Sequence, residues 1–141
     1  MKKNSRILAL LLVAVLSVCA IMTGCSKKTP TLEDYFKDHP DQMASFEESF
    51  ASNGLDGTVE VKENDIIMTV DITSALGSGI TLDDSTKQLL QSSFDSAFDQ
   101  SEAKLASSIA GVEEETGIKG ITVKVIVVYD GETVYERSFT A

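Results

Sequence analysis

Tryptophan is absent from this 141-residue chain, and proline, cysteine and histidine number only two, two and one. The single histidine, His39, leaves little with which to activate a serine, and no Gly-x-Ser-x-Gly elbow surrounds any serine. Its neighbours Asp38, Pro40 and Asp41 read as a helix junction rather than as partners in catalysis. Positive charge is short as well: 12 Lys and Arg face 22 Asp and Glu, a net −10. Nucleic acid binding needs clustered cations against phosphate, so nucleic acid is excluded as a partner. The Asp-x-Asp-x-Asp-Gly pattern that folds oxygens around calcium is missing. Asp95, Asp99 and Glu102, at i, i+4 and i+7, therefore read as the solvated stripe of a helix, and so do Glu113, Glu114 and Glu115. No metal or cofactor is expected. Gly77-Ser78-Gly79 reads as a loop hinge and not as a phosphate loop, because Asp83 and Asp84 already occupy the positive end of the helix that follows.

What is present begins with a leader. Lys2, Lys3 and Arg6 precede an apolar stretch of 16 residues from Ile7 to Met22, short of the roughly 20 that a comfortable membrane span needs. The segment Ile21-Met22-Thr23-Gly24-Cys25 at its end resembles the lipobox of bacterial lipoproteins. Thr23, Gly24 and Cys25 match that pattern, and Met22 stands where Leu is commonest. The resemblance implies acylation of the Cys25 thiol by diacylglycerol of the palmitate class, and cleavage between Gly24 and Cys25. Residues 1–24 are then a lipoprotein signal peptide, 25–30 a lipidated tether and 31–141 one domain. The chain is expected at the cell membrane, lipid-anchored and facing outward. At about 0.8 kcal/mol per buried methylene, two acyl chains hold firmly where one holds marginally. Lys27 and Lys28 each add roughly 1 kcal/mol near an anionic surface.

Cleavage leaves 117 residues with nine cations against all 22 carboxylates, a net −13. Cys19 departs with the leader, so acylation of Cys25 removes the last free thiol and with it disulfides, cysteine metal sites and cysteine nucleophiles.

Hydrophobic spacing then predicts the elements. Leu32, Phe36, Met43, Phe46 and Phe50 recur at helical intervals, interrupted at His39-Pro40, which predicts helices over 32–38 and 40–52. Val59 and Val61, then Ile66, Met68 and Val70, alternate as strands around a Glu63-Asn64-Asp65 turn. Residues 74–79 read as a loop. A long helix is predicted over 83–116 from Leu90, Phe94, Phe98, Leu105, Ile109 and Val112, with a bend or break near Gly111 and a cap at Gly117. Strands over 121–129 and 133–140 flank Asp130-Gly131, the first of them central because it is apolar on both faces. The order αββαββ predicts an α+β fold: a four-stranded antiparallel sheet packed on one face against the long helix, with an N-terminal helical segment. The second hairpin should meet the first through its 121–129 strand. The order also allows an internal duplication of an αββ unit, although the two halves do not align residue by residue.

Residues 31–141 resemble the small, acidic, single-domain lipoproteins of Gram-positive bacteria, many of which carry an uncharacterised domain. The likeness rests on Thr-Leu-Glu-Asp-Tyr-Phe at 31–36 and Glu-Glu-Thr-Gly-Ile-Lys-Gly at 114–120, and it implies no activity. The leading expectation is a non-catalytic module that binds an unknown envelope protein or ligand. Ile67, Ile126 and Tyr135 would serve it on the free face of the sheet. Two alternatives stand beside it: a small hydrolase using paired carboxylates, and an atypical small solute-binding receptor.

Overall fold

The computed structural model describes residues 31–77 and 79–141. Gly24 and Cys25, the leader, the tether and Ser78 lie outside the described residues.

Thr31 opens the domain by accepting a hydrogen bond from the Asp34 N–H and donating one to the Asp34 carboxylate, at 3.2 and 2.9 Å. This reciprocal cap starts helix α1 (Leu32–Asp38). His39 leaves the helical region at φ −130° and ψ 62°, and Pro40 begins α2 (Pro40–Ser52). A residue before proline resists the α conformation, and a first-turn proline needs no N–H partner. Both pieces fall where the sequence places them.

Strands β1 (Asp56–Lys62) and β2 (Asp65–Asp71) form an antiparallel hairpin around Glu63-Asn64, with Glu63 in the left-handed region at φ 53°. The stretch that reads as a loop contains a single helical turn, α3 (Thr73–Leu76), whose first N–H is taken by the Asp71 carboxylate at 2.8 Å. Helix α4 (Asp84–Thr116) runs for 33 residues, on the order of 50 Å. Asp83 caps it by accepting from the Thr86 N–H at 2.7 Å, and Gly117 ends it in the left-handed region at φ 73°. No break occurs at Gly111. A mid-helix glycine costs only ~1 kcal/mol against alanine, and the fully buried Ile109 and Val112 hold the helix on either side of it. Strands β3 (Thr122–Tyr129) and β4 (Glu132–Thr140) close the chain as a second hairpin around Asp130-Gly131.

The sheet order is β1-β2-β3-β4, so the hairpins do meet through β3. The expected all-antiparallel sheet is corrected at its centre: β2 and β3 run parallel, from Asp65 beside Thr122 to Asp71 beside Val128. The cause is α4. Parallel neighbours need a crossover of about a dozen residues or more, and the helix carries the chain back to the level at which β2 began. The two halves share only the order αββ, since two short helices precede the first hairpin, and a single turn and a helix of 33 residues precede the second.

One face of the sheet makes the core. Val59, Ile66, Met68, Val70, Val123, Val125 and Val127 are buried there under Phe46 and Phe50 of α2 and Phe94 and Phe98 of α4. Phe98 meets Phe139 at 5.2 Å between ring centres, and Phe94 meets Tyr135 at 5.1 Å.

Candidate functional site

The opposite face of the sheet carries no buried residue. At its middle, Ile67 of β2 and Ile126 and Val128 of β3 are half-exposed. In register, Ile67 lies beside Lys124, Thr69 beside Ile126, and Asp71 beside Val128. Carboxylates surround this centre. Asp56 faces Asp71 across the strands, and Glu60 and Glu136 flank Ile67 and Ile126 on β1 and β4. The two lysines of the face are each committed to a glutamate of the same face: Lys62 to Glu60 at 3.2 Å and Lys124 to Glu136 at 2.8 Å. The surface is therefore an aliphatic centre with an acidic rim.

Ile67 and Ile126 lie where the sequence puts them; Tyr135 does not. It pairs with Val127 on the core face and is 6% exposed. Its ring stacks on Phe98 at 5.9 Å, and its hydroxyl donates to Asp95 at 2.8 Å. Burial first, and then the Asp95 carboxylate, push its pKa up to about 12. The reason for the difference is α4, which lies over β4 and turns the whole Tyr135, Arg137, Phe139 side of the strand inward.

Asp95, Asp99 and Glu102 are exposed, as expected, but they are not idle. They converge on Arg137, with Asp99 at 2.7 Å, Glu102 at 3.0 Å and Asp95 at 3.7 Å. The guanidinium also covers the Phe139 ring at 5.3 Å. The hydrogen bond that Arg137 donates to the Asp99 carboxylate is the main cause that raises its pKa. This cluster ties α4 to β4.

His39 stacks on Tyr35 at 4.5 Å, and its Nδ1 lies 2.8 Å from the Tyr35 carbonyl oxygen, as suits a helix junction. Two carboxylates have displaced pKa values, and both move down. Glu33 is lowered by the Glu63 N–H and then by Lys37, Asp83 by its cap bonds to Thr86. Neither suits a general acid, which needs a raised pKa. Among the described residues no group of three or more His, Cys, Asp or Glu is placed to hold a metal ion.

Asn64 escapes sequence reasoning. It reads as a turn former, yet it joins three elements. Its Oδ1 accepts from the Leu32 N–H at 3.0 Å, its Nδ2 donates to the Lys119 carbonyl at 3.1 Å, and its own carbonyl accepts from Thr122. Nothing local distinguishes such an asparagine from any other in a hairpin turn.

A family model for a domain of unknown function matches residues 32–139. The chain belongs to the DUF4854 family. The match runs from the first residue of α1 to the penultimate residue of β4, so the open face, the Arg137 cluster and the Asn64 clasp all lie inside the DUF4854 domain. No curated protein and no solved structure matches the chain. No helix among the described residues is long and apolar enough to cross a membrane.

Proposed function

We propose that this chain is an extracytoplasmic lipoprotein, held to the cell membrane by lipid on Cys25, whose DUF4854 domain binds an envelope protein through the open face of its sheet. The observation that carries the reading is the half-exposed trio Ile67, Ile126 and Val128 on the two central strands, bordered by carboxylates whose only lysine neighbours are already paired. Apolar residues clustered within a polar rim are the pattern of a protein contact surface. Residues 31–141 carry seven Lys and Arg against 22 Asp and Glu, a net −15, so the fitting partner presents an apolar patch ringed by Lys and Arg.

Two measurements test this. Replacing Cys25 with Ala moves the protein from the membrane fraction to the medium and abolishes radiolabelled lipid incorporation; a wild-type chain that is soluble and unlabelled would refute the anchor. A photo-crosslinking residue at Ile126 gives one discrete adduct in intact cells, lost when Ile67 becomes Asp. The same probe at Glu47, on the exposed side of α2, gives none. Equal adducts at both positions would end the open-face reading.

A further inference from the structure

At the end of the sheet where β2 and β3 finish, the crossover loop lies beside the β3–β4 turn and borders an open cleft of about 350 Å³. Ile80, Thr81 and Leu82 form one wall, and Tyr129, Asp130 and Glu132 the other. That volume falls at the low end of the roughly 300–1,000 Å³ of small-molecule sites.

Tyr129 ties the loop wall of the cleft to the end of β3. The Tyr129 hydroxyl donates to the Gly77 carbonyl at 2.8 Å and accepts from the Ile80 N–H at 3.1 Å, pinning the loop on both sides of Ser78. Ile80 remains 47% exposed, one of two large exposed aliphatics among the described residues, the other being Leu89 on α4. Facing it, Asp130 sits in the left-handed region at φ 49°, its N–H held by the Thr73 hydroxyl at 2.8 Å, with no partner for its carboxylate among the described residues. Glu132 is committed to Lys87 at 2.6 Å. The helix end nearby does not invite an anion, because Asp83 fills its cap and Asp84 its first turn.

We infer that this cleft is a binding site for a small organic cation with a short aliphatic chain, the ammonium on Asp130 and the alkyl part over Ile80 and Leu82. The inference is independent of the open face, which lies around the sheet from it and shares none of its lining residues.

Titrating the full chain in neutral detergent with n-butylammonium, and separately with butyrate, tests it. Calorimetry should give one saturable site for butylammonium with a Kd of about 1–10 mM, the range for a ligand of so few atoms, and none for butyrate. Asp130→Asn keeps a side chain that tolerates the left-handed turn, so the fold survives. It should weaken binding roughly threefold to fivefold, the scale of a partly exposed ion pair. Ile80→Ser should weaken it too, and Asp65→Asn at the far end of β2 should not. The inference is overturned if butylammonium fails to saturate, if butyrate binds equally well, or if Asp130→Asn, with its melting temperature unchanged, binds as wild type does.

Discussion

Asn64 shows how much a single side chain decides in this domain. Its amide is shared between α1 and the loop before β3, and its backbone between two strands. Replacing it with Ala removes both side-chain bonds and leaves the Leu32 N–H without its acceptor, a loss of about 1–3 kcal/mol by urea unfolding. A surface turn asparagine of no consequence would cost a few tenths. Tyr135 makes a second test at this scale, through pH. Its folded pKa is raised from 10.0 to about 12, so the unfolded chain ionises first as pH climbs. The contribution to stability is complete below pH 10 and is lost between about 10 and 12. Stability measured across that window should fall, and Tyr135→Phe should fall less steeply.

At the scale of elements, two glycines that look alike in the sequence have opposite meanings. Gly57 faces the core from β1, where an added Cβ would meet the Phe50 ring at 3.0 Å and the Thr69 carbonyl oxygen at 3.2 Å. Gly57→Ala should destabilise by about 1–3 kcal/mol through overpacking. Gly111 lies in α4 with nothing within 4 Å of that position. Gly111→Ala should stabilise by about 0.5–1 kcal/mol, since only helix propensity changes. Denaturant midpoints moving the same way in both variants would contradict the packing described. The elements themselves were largely legible beforehand. The Thr31, Asp83 and Gly117 caps, the His39-Pro40 break and both hairpin turns are local chemistry, written where it acts. The single turn of α3 was not legible, because it depends on the Asp71 carboxylate and the β3–β4 turn packed beside it.

For the whole molecule, charge is the dominant feature. With a net −15 over residues 31–141, the folded domain concentrates repulsion that the unfolded chain spreads out. Its best cation, Arg137, is surrounded by three carboxylates. Raising the salt to about 0.1–0.2 M, where the screening length is about 8–10 Å, should therefore raise the melting temperature by a few degrees. A fall would mean that the ion pairs outweigh the repulsion. The sequence by itself determined the α+β composition, the boundaries of nearly every element, the central place of β3 and the acidity of the surface. Each follows from residue type and spacing along the chain. Only the tertiary structure decided that β2 and β3 run parallel, because that depends on where a 33-residue helix delivers the chain. Only the tertiary structure, likewise, decided that Tyr135 is core and does not share the free face with Ile67 and Ile126. Alternation assigns residues to two sides of a strand, and which side is inside depends on the helix that lies against it.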